Sequence, residues 1–148
     1  MKKLLLSLVF TLVSYPVYAY ELLMFSDPEV CGYCRNFMEE TYPTYKDSIY
    51  AKQLPLKIVL ISEPPPKWFT DAFEQKKIKP IQGIPMFIVW DNDKEIARMY
   101  GYKNKSQFYS DLHDFFVANE HIFGKIGELK GRKVPRNEFE RETNTNFP

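Results

Sequence analysis

Tyr20-Glu-Leu-Leu-Met-Phe-Ser-Asp-Pro-Glu-Val-Cys-Gly-Tyr-Cys-Arg-Asn-Phe-Met38 holds both cysteines of this 148-residue chain. Leu22, Leu23, Met24 and Phe25 are continuously apolar, so Tyr20 to Ser26 reads as a buried strand. Asp27 to Val30 is a loop. From Gly32 a helix begins, with Cys34, Phe37, Met38, Thr41 and Tyr42 at the i, i+3, i+4, i+7, i+8 positions of a core-facing stripe. Pro43 ends or kinks it. A strand that delivers Cys31-Gly32-Tyr33-Cys34 to the first turn of a helix is the arrangement of a thiol–disulfide redox site. The N–H groups and dipole of the helix start favour an anion on Cys31, which lowers the thiol pKa and makes Cys31 the nucleophile. Cys34, one turn into the helix, is the sheltered resolving thiol.

Two other readings of the pair compete. Zinc needs about four ligands, yet there is no second cysteine pair, and His113 and His121 form no pattern with the first. An inert structural disulfide is the other, but a bridge over a two-residue gap closes a tiny loop and constrains the unfolded chain little.

The compartment is read from residues 1–19. Lys2-Lys3 is a basic start, Leu4 to Val13 an apolar run about half of the ~20 residues a membrane span needs, and Val17-Tyr18-Ala19 a small-residue cleavage site. This pattern predicts a cleaved signal peptide and an exported, periplasmic protein. Without Lys2 and Lys3 the 20 basic residues fall to about 18 against 19 acidic, which gives no support to nucleic acid as a partner.

Further along, Thr44 to Gln53 is polar and aromatic and reads as a short helix or a packed loop. Pro55 to Ser62 is a β-branched second strand stopped by Pro64-Pro65-Pro66. A helix from Lys67 to about Lys77 is expected to bury Trp68, Phe69, Ala72 and Phe73. Met86 to Trp90 and Lys94 to Tyr100 flank the turn residues Asp91-Asn92-Asp93 and form an antiparallel hairpin. A last helix, about Lys105 to Val117, buries Phe108, Leu112, Phe115 and Phe116, with His113 beside the stripe and partly exposed. From Gly131 the tail is charged, with no apolar period, and reads as disordered or loosely docked. The order β-α-β-α-β-β-α predicts a three-layer α/β/α sandwich around a four-strand mixed sheet. The chain thus divides into a signal peptide (1–19), one domain (20–118) and a C-terminal extension (119–148).

Cys31-Gly-Tyr-Cys34 at a helix start, together with Gly83-Ile84-Pro85 leading into the third strand, resembles the thioredoxin superfamily in its four-strand form. The resemblance implies that Pro85 is cis and packed against the cysteine pair, and that Ile84 meets the substrate chain. Gly32 and Tyr33, between the cysteines, belong to the same implied substrate-binding set. Glu21 to Arg35, Tyr42-Pro43, Pro55-Leu56, Ile84 to Ile88 and Glu95 to Tyr102 are similar to the periplasmic thioredoxins of bacterial sulfur-oxidation (Sox) systems. In that family the protein is thought to keep the cysteine of a sulfur-carrying partner reduced. Two departures stand out. The family's Asp behind the resolving cysteine is missing from the first strand, which leaves Glu29 or water as weak candidates for a base. Val30 stands where the family has Trp.

The expected activity is an exported thiol–disulfide oxidoreductase, a thioredoxin-like protein-disulfide reductase. It needs no organic cofactor, because the redox-active disulfide Cys31–Cys34 carries the electrons. Its partners are a periplasmic protein with a disulfide and a membrane thiol electron donor, and it is expected to be a monomer. The alternatives are a disulfide isomerase, a reductant for cytochrome c assembly, or a thioredoxin-fold binding module with an inert disulfide.

Overall fold

The computed structural model describes residues 20–124. The signal-peptide reading of residues 1–19 and the reading of the tail from Gly131 lie outside the described residues. The elements are β1 (Glu21–Ser26), α1 (Gly32–Glu40), α2 (Tyr42–Tyr45), β2 (Leu56–Leu60), α3 (Lys67–Glu74), β3 (Met86–Trp90), β4 (Glu95–Tyr100), α4 (Lys105–Ala118) and α5 (Glu120–Phe123).

The sheet runs β2-β1-β3-β4, with β1 parallel to β2 and antiparallel to β3. Because side chains alternate across a strand, each strand feeds two cores. Leu22, Met24, Phe87 and Val89 face the layer of α1 and α4, where they meet Phe37, Phe108, Leu112 and Phe116. Leu23, Phe25, Met86, Ile88 and Trp90 face α3, with Ala72 buried against them. This is the three-layer α/β/α sandwich expected from the element order. Phe37 is the hub of the first core: its ring centroid lies 5.0 Å from Phe87, 5.1 Å from Phe108 and 5.2 Å from Tyr102. Such ring pairs add about 0.5–1.5 kcal/mol each beyond burial.

Several sequence expectations are corrected. Tyr42 is exposed rather than part of the core stripe. The helix stops at Thr41, whose N–H caps the Phe37 carbonyl, and α2 restarts with Pro43 in its first turn, so Tyr42 falls out of phase. The stretch after Pro43 is that single turn followed by a packed loop, pinned where Tyr45 Oη donates to the Leu54 carbonyl (2.6 Å). Helix α3 ends at Glu74, and Lys76 turns the chain with a positive φ of 58°. Phe73 is exposed rather than buried, since a helix of two turns offers the sheet one face and Ala72 occupies its middle. Trp68, Phe69 and Phe115 are half-buried rather than enclosed. Helix α5 lies beyond Ala118, and Phe123 on it is buried, 4.6 Å from the Phe116 ring and 5.0 Å from that of Tyr20.

Candidate active site

The loop between β1 and α1 is folded by its own polar groups. Asp27 Oδ1 accepts the Glu29 N–H (3.2 Å), and the Asp27 carbonyl accepts the Cys31 N–H (2.9 Å). Arg35 reaches back from α1 to donate to the Pro28 carbonyl (3.0 Å). The result sets Cys31 as the N-cap of α1, where an oxygen-bearing side chain usually sits. Here the cap acceptor is sulfur: the Cys34 N–H donates to Cys31 Sγ at 3.1 Å.

Cys31 and Cys34 are joined as a disulfide with their Cα atoms 5.2 Å apart. Their surroundings differ sharply. Cys31 is partly exposed, whereas Cys34 is fully buried in the cluster that holds Met24 and Phe37. The Ile84–Pro85 peptide is cis, and the Ile84 carbonyl oxygen lies 3.7 Å from Cys31 Sγ. A groove of about 620 Å³ opens beside the disulfide, lined by Tyr33, Ile84, Pro85, Tyr100, Gly101 and Lys103 among others. Cys31, Cys34, Tyr33, Ile84 and Pro85 therefore converge. Gly32 is exposed at the helix start and lies outside that lining. Val30, Tyr33 and Tyr100 are 78%, 64% and 66% exposed, apolar side chains left facing water around a reactive bond. Glu29 is exposed while Cys34 is fully buried, which removes it as a base for that thiol.

Two supporting clusters are not legible as motifs. In the first, Glu95 and Arg98 pair on β4 at 2.5 Å with both side chains nearly enclosed. Arg98 also donates to the Pro80 carbonyl (3.1 Å) and the Lys79 carbonyl (3.2 Å), while Glu95 accepts the Lys79 N–H (3.0 Å). Together they hold to the sheet edge the connection that leads to Ile84 and Pro85. Burial opposes charge on Glu95, but the Arg98 guanidinium and the Lys79 N–H outweigh it and bring the carboxyl below its ordinary range. The hydrogen bond to Glu95 holds Arg98 above its ordinary value.

In the second cluster, Tyr102 Oη donates to Glu40 Oε2 (2.6 Å), so the 2.9 Å contact with Thr41 Oγ1 is a bond that Thr41 donates. This locks the end of α1 to the segment after β4. Burial, and then the Glu40 carboxylate, push the Tyr102 phenol well up. A Thr and a Tyr among apolar neighbours, 61 residues apart, give no sequence signal of such a bond.

The thioredoxin-like domain description matches residues 19–116. The chain belongs to the thioredoxin-like family. No curated protein matches it. Among solved structures it is similar to the reduced periplasmic thioredoxin SoxS from Paracoccus pantotrophus, with 24% identity over 66% of this chain and 96% of that one and a TM-score of 0.55. A thioredoxin-fold protein from Helicobacter pylori follows at 19% identity, 86% of each chain and a TM-score of 0.49. Thioredoxin from Malassezia sympodialis stands at 17% identity, 65% of this chain and 76% of that one, with a TM-score of 0.49. At these identities the likeness is one of fold. Family membership and a helix-capping disulfide with one exposed and one buried sulfur make this thioredoxin-like protein a thiol–disulfide oxidoreductase. Among its described residues no helix is long and apolar enough to cross a membrane.

Proposed function

We propose that this thioredoxin-like protein is an exported protein-disulfide reductase. The observation that carries the reading is the contrast between the two sulfurs: Cys31 caps the helix at the surface, and Cys34 is fully buried beneath it. In the dithiol, the Cys34 N–H and the helix start favour thiolate on Cys31. That thiolate attacks one sulfur of a partner disulfide, expelling the other as a thiolate and forming a mixed disulfide. Cys34 then attacks Cys31 Sγ, which re-forms the disulfide and releases the partner with two electrons gained. No organic cofactor enters. A membrane thiol donor returns the two electrons, and the protein acts as a monomer.

The substrate is a periplasmic protein whose cysteine lies in an accessible segment. Tyr33, Ile84, Pro85 and Tyr100 line the groove that would receive residues flanking that cysteine, and Gly32 leaves the approach to Cys31 free of a side chain. The sequence likeness to Sox thioredoxins, with the similar fold of SoxS, supports a sulfur-oxidation component as that substrate.

Substrate trapping tests the whole reading. Cys34→Ser cannot release the mixed disulfide, so expression in the native host followed by mass spectrometry should find a small set of captured periplasmic proteins, with sulfur-oxidation carriers or enzymes among them. An apocytochrome would redirect the assignment to cytochrome assembly, and many multi-disulfide proteins to an isomerase. Capture of nothing, from a wild type that is reduced in the cell, would leave only a binding module.

A further inference from the structure

Ser26 is the last residue of β1 and is fully buried, and its Oγ is the single buried side-chain oxygen or nitrogen among the described residues with no hydrogen-bond partner. Buried hydroxyls are nearly always paired, so an orphan asks for an explanation. Its backbone place is set by the pairing of β1 on both sides. Ser26 stands beside Leu60 in the register with β2, and its carbonyl accepts the Ile61 N–H at 3.0 Å. The antiparallel register with β3, continued one step from the Phe25–Met86 pair, sets Ser26 opposite Pro85. Strand alternation turns it to the same face as Leu22 and Met24, which share a cluster with Cys34 and Phe37. The orphan hydroxyl therefore belongs to the layer that encloses the buried sulfur.

We infer that Ser26 is a positioning residue for the resolving step: its hydroxyl donates a hydrogen bond to Cys34 Sγ once the disulfide is opened. The inference rests on the assignment of Cys34 as the resolving thiol. In the oxidised protein Oγ makes no hydrogen bond, to sulfur or to oxygen. A thiolate is a stronger acceptor than a disulfide sulfur. When the mixed disulfide sits on Cys31, Cys34 must give up its proton inside an apolar layer, where burial disfavours the anion. The proton ends on the partner's departing thiolate or on solvent, the Cys34 sulfur bonds to Cys31 Sγ, and the partner sulfur leaves. A hydroxyl aimed at the forming thiolate lowers the barrier to that step without itself gaining or losing a proton.

Other polar groups around the site are already engaged or outside. Asp27 Oδ1 takes the Glu29 N–H, Glu40 Oε2 takes the Tyr102 hydroxyl, Arg35 is on the Pro28 carbonyl, and Glu29 and Glu39 are exposed. On α4, His113 Nδ1 lies 3.2 Å from Tyr50 Oη. Strand β3, on the other side, carries no titratable side chain at all.

The test uses the full reduced chain and 5,5′-dithiobis(2-nitrobenzoate), followed by stopped-flow absorbance. Attack by Cys31 releases one thionitrobenzoate, and attack by Cys34 on the mixed disulfide releases the second. In Ser26→Ala the first phase should match wild type. The second should slow about tenfold at pH 7, its pH inflection moving up by about one unit, and Ser26→Thr should restore it. The oxidised Ser26→Ala protein should melt no lower than wild type. In the wild type itself, the Ser26 13Cβ resonance should move on reduction, which needs no variant to fold. A second phase of unchanged rate and pH profile, or a Ser26 resonance indifferent to reduction, overturns the role of Ser26 alone. A wild type that forms no adduct at Cys31 overturns the assignment of the two thiols and the Ser26 inference with it.

Discussion

Cys31 Sγ rests 3.7 Å from the carbonyl oxygen of Ile84, 53 residues further along the chain. The contact brings the helix cap and the cis-proline segment to one point, next to the groove that Tyr33, Ile84 and Pro85 line. Cys31 stays partly exposed there, whereas Cys34 is fully buried.

Alkylation should follow that asymmetry. With the protein reduced and native, iodoacetamide is expected to modify Cys31 at least tenfold faster than Cys34, because only an accessible thiolate reacts. Peptide mapping at short times reads the ratio. Equal labelling, or Cys34 first, would reverse the roles of the two thiols.

The exposed rings around the disulfide should matter for protein substrates and little for the fold. Tyr33→Ala and Tyr100→Ala are each expected to weaken kcat/KM on a protein disulfide by roughly 1–2 kcal/mol, five- to thirtyfold. Turnover of a small disulfide should stay near wild type, and stability should stay within about 0.5 kcal/mol for such surface changes. Parallel loss on both substrates would mean that the rings shape the site rather than receive the partner.

The Glu95–Arg98 pair makes a prediction about acid. Glu95 titrates below its ordinary range in the folded protein, so its contribution to stability is complete above the unfolded carboxyl value of about 4.3 and is lost as pH falls through the lower folded value. Urea midpoints from pH 7 to pH 3 should fall less steeply in Glu95→Gln than in wild type. Arg98→Ala, which leaves a nearly enclosed carboxylate unpaired and frees the Lys79 and Pro80 carbonyls, should cost about 3–5 kcal/mol. It should also slow protein-disulfide reduction, because the segment carrying Ile84 is no longer tied to β4. An Arg98→Ala protein of wild-type stability would show the pair to be dispensable.

Tyr102→Phe removes one oxygen and breaks two hydrogen bonds, leaving the buried Thr41 hydroxyl with no acceptor at that site. The expected cost is about 1–3 kcal/mol in chemical denaturation. The raised phenol also sets a sign at high pH. Its contribution is complete below the unfolded Tyr value near 10 and fades as pH climbs above it. Tyr102→Phe should therefore lose less stability than wild type between pH 9 and pH 11, and an identical alkaline slope in the two proteins would refute the assignment.

Much of this architecture is written locally. The apolar run Leu22 to Phe25, the helical spacing of Cys34 and Phe37, and the Asp91-Asn92-Asp93 turn each declare their element through neighbours a few residues away, since side-chain period and turn chemistry are properties of short segments. Cys31-Gly-Tyr-Cys34 declares the chemistry in the same way. Burial at element ends is another matter. Tyr42 and Phe73 share the spacing of core residues and yet face water, because where a helix stops depends on caps and on what the sheet has room for. The same holds for the links that complete the site: Cys31 to Ile84, Arg98 to Lys79 and Pro80, Tyr102 to Glu40 and Thr41, and Ser26 in the layer of Cys34. These residues lie far apart in the chain, or on opposite sides of a loop, and no periodicity within one segment encodes a partner in another. They meet because β1 pairs with β3 and β3 with β4, and the strand order that brings them together is settled only when both faces of the sheet are covered at once.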